Sequence, residues 1–321
     1  MNPYVTIAIP VLNGENFIEQ AVSSVLEQSF RALEVVISDN GSTDGTERIC
    51  RRFACGDKRV KYHRFTENIG AAPNFNRAFA LGTGRYFKWH AHDDLLGPSF
   101  VERCVEMLDA CKDVSLVFGP TKCIDTSGDE IDWAADLFMP PLLQDDPVAR
   151  FRKAIETAGS CFPIFGMFRT DILRRSCLLR PYYGSDRALI AEAALLGKVA
   201  QAPADAVYYN REHQTRSVNR QGKGDRASWM NGRTRRRHSL EHINFLAHLI
   251  EIALRHGELV RPSAALGGVA RSAFTRRQMA RYALDIARYV APERSEALRD
   301  AVLRNESLKR VLFEAKANKE I

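Results

Sequence analysis

Apolar runs that stop at polar, glycine-bearing turns, with helical spacing between them, constrain this chain more than any other feature. Val5 to Pro10 and Glu34 to Ser38 read as buried strands, and the run beginning at Tyr86-Phe87-Lys88-Trp89 reads as another. The first leads to Asn13-Gly14, the second to Asp39-Asn40-Gly41-Ser42-Thr43-Asp44-Gly45, and the third through His90-Ala91-His92 to Asp93-Asp94. Between the first two, Phe17, Ile18, Ala21, Val22, Val25 and Leu26 recur at steps of three and four, which predicts a helix with one buried face. Strand and helix in alternation predict an open α/β sheet, and in such a sheet the carboxyl ends of the strands line the ligand crevice. Asp39, Asp44, Asp93 and Asp94 then converge there, which is the layout of a nucleotide site. Adjacent carboxylates repel, so a strand that ends on Asp93-Asp94 points to a bound cation.

The pattern continues along the chain. A helix is predicted after Ser42 or Thr43, either of which can cap it, and a strand at Val60 to Phe65. Further helices are predicted over Ala72 to Leu81, with Pro73 in the first turn where its missing N–H costs nothing, and over Ser99 to Cys111, capped by Ser99. Val114 to Phe118 reads as a strand, Pro147 to Ala158 as a helix, Ile164 to Arg169 as a strand, Ala188 to Leu196 as a helix and Ala206 to Tyr209 as a strand. From Arg216 to His238 the chain is rich in Gly, Arg and Lys, which predicts a loop. Leu240 to Arg255, Ser272 to Tyr289 and Glu293 to Ala317 have helical spacing.

The apolar content of 45% in 321 residues supports a sizeable core. The apolar runs fall short of the roughly 20 residues that span a bilayer, and Met1 to Pro10 has no charged n-region, so a cytoplasmic protein is expected. Seven scattered cysteines without a C-x-x-C pair predict reduced thiols. The net charge of +7 divides into −4 for residues 1–210 and +11 for residues 211–321, so two differently charged parts share the chain.

Five motifs in register, Ile9-Pro10-Val11-Leu12-Asn13, Asp39-Asn40-Gly41-Ser42-Thr43-Asp44, Asn68-Ile69-Gly70, Gly84-Arg85-Tyr86 and His92-Asp93-Asp94, resemble the family 2 glycosyltransferases of GT-A fold. The resemblance covers roughly residues 4 to 215. It implies a Rossmann-like nucleotide-binding sheet flanked by helices, with a helical C-terminal extension. It also implies sugar transfer from a nucleotide-diphosphate donor to an acceptor hydroxyl, with inversion, in polysaccharide or envelope glycan synthesis. By position Asp39 meets the nucleobase, and Pro10, Asn13, Ser42, Asn68, Asp93 and His213 belong to the nucleotide-sugar site. Asp93 and Asp94 correspond to the family's carboxylates for Mn²⁺ or Mg²⁺. A further Asp often stands two places before the pair; Ala91 stands there, so which carboxylate meets the metal is left open. Asp186, in Gly184-Ser185-Asp186, takes the place of the general base, with Ser185 where the family usually has Glu.

These expectations divide the chain into a catalytic domain over residues 1–215, a basic loop over 216–238 and a helical region over 239–321. Arg216, Arg220, Lys223 and Arg226 are candidates to close on the diphosphate. Gln278-Met279-Ala280-Arg281-Tyr282 is superficially similar to the Q-x-x-R-W signature of processive synthases, but lies far from Asp186 and is read as fortuitous. A nucleotidyltransferase would typically carry a cationic Gly-rich loop after the first strand, and G-x-G-x-x-G of dinucleotide enzymes is missing there. The basic C-terminal third raises nucleic-acid binding, but no helix-turn-helix, zinc or aromatic RNA-binding signature accompanies it. Its apolar stripes with arginines fit either packing, including a homodimer, or peripheral contact with the inner membrane face. The acceptor is expected to be a glycan or a lipid-linked molecule.

Overall fold

A computed structural model of the chain describes residues 3–132, 139–157, 161–213, 223–232 and 240–290. The elements in order are β1 (Val5–Val11), α1 (Ile18–Leu26), β2 (Leu33–Asp39), α2 (Thr46–Gly56), β3 (Val60–Arg64), α3 (Ala71–Leu81), β4 (Tyr86–Trp89), β5 (Leu95–Leu96) and α4 (Phe100–Ala110). There follow β6 (Val114–Phe118), β7 (Thr121–Ile124), β8 (Glu130–Ile131), α5 (Pro147–Thr157), a 3₁₀ turn at Phe162–Phe165, β9 (Met167–Arg169), α6 (Thr170–Arg175) and α7 (Ser185–Leu196). The last are β10 (Lys198–Gln201), β11 (Tyr208–Arg211), α8 (Lys223–Asn231), α9 (Glu241–Arg255), α10 (Pro262–Ala273) and α11 (Arg276–Val290).

Seven strands form the main sheet in the order β10-β6-β9-β4-β1-β2-β3. All neighbouring pairs are parallel except those that β9 makes with β4 and β6. A second sheet, β5-β11-β7-β8, stands beside it. β1 and β2 are buried along their whole length because helices cover both faces of the main sheet. Alternate side chains supply two cores. Val5, Ile7, Ile9, Val35 and Ile37 pack against α1, α2 and α4, whereas Ala8, Val36, Phe87 and Trp89 pack against α3, α5, α7 and the C-terminal helices. Pro10 falls just past Ala8, where the β1–β4 ladder ends, so its missing N–H breaks no bond to β4.

Several expected boundaries shift for identifiable reasons. Ser99 does not cap α4 with its side chain; its hydroxyl donates to the Asp205 carbonyl instead (2.8 Å). α2 starts at Thr46, later than Ser42 or Thr43 would have it, because the intervening turn hydrogen-bonds to the Asn13 loop. Within residues 216–238, read as a loop, the structure places the helix α8. The expected helix Ser272–Tyr289 is two elements, α10 and α11, broken at Phe274-Thr275. Its proposed successor at Glu293–Ala317 lies outside the described residues, as do Arg216, Arg220 and Arg233 to His238.

The helices beyond residue 239 are continuous with the main core. Leu249, Ile252 and Ala253 of α9 and Ala265, Val269 and Ala273 of α10 belong to the same apolar cluster as Trp89 and Phe168. In the middle of this cluster Glu192 on the buried helix α7 accepts from the Cys177 N–H (2.8 Å) and pairs with His256 at the end of α9 (2.8 Å). Among the described residues no helix is long and apolar enough to cross a membrane, and all seven cysteines are free.

Candidate functional site

The turn after β2 is built around Asp39, which is fully buried. Its Oδ1 accepts from the Ser42 N–H (2.8 Å) and its Oδ2 from the Tyr62 hydroxyl (2.6 Å). Asn13, held at positive φ (53°), clamps this turn to the end of β1: its own N–H donates to Ser42 Oγ (2.9 Å), and its Oδ1 accepts from the Thr43 N–H (2.9 Å). Asp44 stabilises the start of α2 by accepting from the Thr46 N–H (3.0 Å), and those bonds hold its carboxyl below the ordinary range against the opposing effect of burial.

Asn68 adjoins this turn and is exposed, with Oδ1 accepting from Asn40 Nδ2 (2.8 Å) and from the Gly70 N–H (2.9 Å). Gly70 has φ 92° and abuts the end of α8 so closely that a Cβ there would lie 2.3 Å from the Gly232 nitrogen. Gly232 is itself at φ 67°, and a Cβ on it would lie 2.4 Å from the Gly70 nitrogen. The two glycines thus interlock backbone to backbone, a contact only residues without Cβ can make.

Asp93 and Asp94 have different surroundings. Asp94 is fully buried; its Oδ1 accepts from the Arg211 N–H (2.7 Å), its Oδ2 from the Tyr208 hydroxyl, and Asn210 Nδ2 lies 3.4 Å from both oxygens. Burial, and secondly the charge of Asp93, push its carboxyl up to about 7. Asp93 is partly exposed, and its Oδ2 faces His213 Nε2 at 2.9 Å. The nearby His92 and His213 hold its carboxyl below the ordinary range although desolvation opposes them, and the bond to Asp93 in turn raises His213. The short strand β11 therefore delivers Tyr208, Asn210, Arg211 and, just past its end, His213 to one acidic turn. Arg211 is itself buried, donating to the Asp93 carbonyl (2.9 Å), to the carbonyls of Asp125 and Thr126 and to Gln20.

Beneath the pair, the Lys88 ammonium contacts the Phe165 and Trp89 carbonyls and sits 4.7 Å from the centroids of both the Phe100 and Tyr208 rings. Burial brings it down to about 7. His90 is fully buried, neither ring nitrogen has a partner among the described residues, and desolvation holds the imidazole neutral.

Asp186 lies in the first turn of α7, after Gly184 at φ 94°. Burial pushes its carboxyl upward, opposed by the Cys161 thiol and the Arg187 N–H (2.9 Å), both of which donate to it. Ser185 is fully buried, with no partner for its hydroxyl among the described residues.

A divalent cation at a diphosphate takes one or two protein donors and fills its remaining positions with phosphate oxygens and water. Asp93 and His213 fit that pattern. Asp94, with both oxygens engaged by internal donors, does not. Among the described residues no group of three or more His, Cys, Asp or Glu is placed to hold a metal alone.

The structure thus brings Asp39, Ser42 and Asn13 into one turn, and Asp93, Asp94 and His213 into another. Sequence reading missed Tyr62, Asn40, Arg77, Tyr208 and Arg211. Arg77 lies over the Phe65 ring, donates to the Asp39 carbonyl (3.2 Å), and is brought down to about 10 by burial. Its only sequence signal is a single cation, next to Asn74 and Asn76, on the helix that follows Asn68-Ile69-Gly70.

Known proteins resemble this chain in family and in fold. The model of the family described as glycosyl transferase family 2 matches residues 6–175. An uncharacterized glycosyltransferase of Rickettsia bellii is 33% identical over 127 residues, which is 39% of this chain and 18% of that protein. One from Haemophilus influenzae is 26% identical over 226 residues, covering 67% of this chain and 68% of its own. The chain spans only 18% to 36% of the length of the Rickettsia relatives it matches. Among solved structures, S. aureus TarS 1-349 in complex with UDP-GlcNAc superposes with a TM-score of 0.62 at 16% identity, over 97% of this chain and 87% of that one. The fold is GT-A, an α/β sheet flanked by helices with a helical C-terminal part. The chain belongs to glycosyl transferase family 2.

Proposed function

We propose that this chain is a non-processive, inverting glycosyltransferase that moves a sugar from a nucleotide-diphosphate donor to an acceptor hydroxyl in glycan synthesis. The observation that carries the reading is the 2.9 Å pairing of His213 with Asp93, which joins residues 120 apart at the mouth of the sheet. A nucleotide sugar is further supported by the fold neighbour solved with UDP-GlcNAc.

Pro10, Asn13, Asp39, Ser42 and Asn68 build the nucleoside site, with the buried Asp39, through its bonds from the Ser42 N–H and the Tyr62 hydroxyl, holding the turn against which the base lies. Asp93 and His213 would hold Mn²⁺ or Mg²⁺, which would supply positive charge to offset that of the diphosphate. Asp94 orients Asp93 by fixing the turn to β11. Asp186 takes the proton of the acceptor hydroxyl as that oxygen attacks the anomeric carbon from the face opposite the diphosphate. Burial keeps its basicity above that of an ordinary carboxylate.

The test is a panel of nucleotide sugars assayed for nucleotide release and transfer with and without Mn²⁺. One donor should be turned over, with loss in excess EDTA and in Asp93→Asn. Asp186→Asn should retain donor binding and lose about 10² to 10⁴-fold in transfer. Full activity in EDTA, or a product that keeps the donor's anomeric configuration, would overturn the assignment. The acceptor is a glycan or a lipid-linked molecule, reached from the cytoplasm. Exposed Ile250, Leu254, Phe274, Met279 and Tyr289 on the C-terminal helices support contact with the inner membrane face or a second copy. Pelleting with anionic vesicles at low salt separates the first from the second.

A further inference from the structure

Lys88 has no part in the proposed chemistry, yet it is fully buried on β4, close beneath the acidic pair. Its ammonium meets two carbonyls, those of Trp89 (3.2 Å) and Phe165, and two aromatic rings, those of Phe100 and Tyr208, whose centroids both lie 4.7 Å away. Among the described residues no carboxylate pairs with it directly. Taking an ammonium out of water without such a partner is costly, so packing alone does not account for a lysine there.

The groups around the ammonium lead to both ends of the site. Phe165 closes the 3₁₀ turn Phe162–Phe165, and its ring stacks on that of Tyr208, with centroids 5.4 Å apart and planes 13° from parallel. The Tyr208 hydroxyl donates to Asp94 Oδ2, next to Asp93. At its other end the turn follows Cys161 and packs against α7, the helix whose first turn carries Asp186. It is also pressed against β6, because a Cβ on Gly166 would lie 2.6 Å from the Val117 carbonyl oxygen. The short segment 161–165 thus reaches from α7 to Tyr208. The last carbonyl of such a turn has no donor within it, and this is the carbonyl that Lys88 engages. Each end of the site is also held on its own: Asp94 by the Arg211 N–H (2.7 Å), and Asp186 by the Arg187 N–H (2.9 Å). Lys88 adds a fixed connection between them.

We infer that Lys88 is a positioning residue: by holding the end of the Phe162–Phe165 turn against Tyr208, it sets the distance between the acidic turn and the base. This rests on the reading of Asp186 as the base and of the Asp93 turn as the diphosphate end. A displacement of about 1 Å between reacting groups can cost on the order of 10²-fold in rate while each end still binds.

The experiment follows nucleotide release by the full chain from the nucleotide sugar that the wild type turns over, with water as the acceptor. Lys88→Met, which keeps the length of the side chain, should lower kcat by about tenfold or more and leave donor KM within about twofold of the wild type. Lys88→Gln can still donate to the Phe165 carbonyl and should recover part of that loss. In Asp186→Asn, where the base is already lost, adding Lys88→Met should change kcat little, since residues that act through one another are not additive. A lysine that serves stability alone would lower the melting temperature and leave kcat per folded molecule unchanged, which would overturn the assignment. So would a full second loss in the Asp186→Asn background, or a rise in donor KM with kcat unchanged. If Lys88→Met does not fold, Phe165→Leu decides, because it removes the stack on Tyr208 and keeps the turn. A loss of kcat at unchanged donor KM then upholds the link, and wild-type kcat overturns it. Failure of the underlying reading shows itself separately, as wild-type protein that turns over no nucleotide sugar.

Discussion

Asp93 and Asp94 are adjacent in the chain, yet one faces the crevice and the other faces inward. The sequence marks the pair as special but carries no sign of which is which, because the difference comes from β11, more than a hundred residues away. Asp94→Asn puts an amide donor among the Tyr208 hydroxyl, the Arg211 N–H and Asn210 Nδ2, all of which lie at its oxygens. Leaving such buried donors unmatched costs about 1–3 kcal/mol, so this variant should melt lower, whereas Asp93→Asn should melt like the wild type and lose metal-dependent turnover. Equal melting temperatures for the two would refute the division of roles. Asp186 offers a second check. A base works only when ionised, and burial has raised this carboxyl, so the acid limb of kcat/KM should lie above the ordinary carboxylate range. The Cys161 thiol pulls in the opposite direction by donating to it. Cys161→Ala should therefore move the acid limb further up in pH, and an unchanged midpoint would show that the thiol does not bear on the base.

The strands and helices that border the crevice were the legible ones, since buried β1, β2 and β4 and the one-faced α1 and α4 leave clear periodicities. α10 was not legible: Gly267-Gly268 interrupts its pattern, and helix propensity disfavours glycine by about 1 kcal/mol each. Gly268 faces α5, where a Cβ would meet Val148 Cγ1 at 3.4 Å, an ordinary contact, so the packing does not itself demand glycine there. α8 was hidden for another reason, a polar and basic composition with no apolar stripe; its position depends on its end meeting the Asn68–Gly70 turn. Gly70→Ala introduces a Cβ against the Gly232 backbone at a φ that L-residues disfavour. Hydrogen exchange in α8 is expected to speed up while that of β1 and β2 stays unchanged, and equal protection of α8 in both proteins would count against the interlock.

At the level of the whole molecule, the charge asymmetry that divides the sequence near residue 210 does not divide the structure. The C-terminal helices complete the core around Trp89 and Phe168, and the Glu192–His256 pair ties α9 to the helix that carries Asp186. A chain cut after residue 239 should lose its cooperative melt and aggregate, because Leu249, Ile252, Ala253 and Val269 no longer cover that cluster. A soluble fragment with a sharp transition would contradict this. The union of Asp93 with a strand so much later in the chain also has a consequence in time. A ribosome adds about 5–20 residues per second, so about 6–24 s separate the appearance of the acidic turn from that of His213. Throughout that interval the newborn sheet holds two repelling carboxylates with neither Tyr208 nor Arg211 to receive them, and the turn can take its final shape only after β11 has been made.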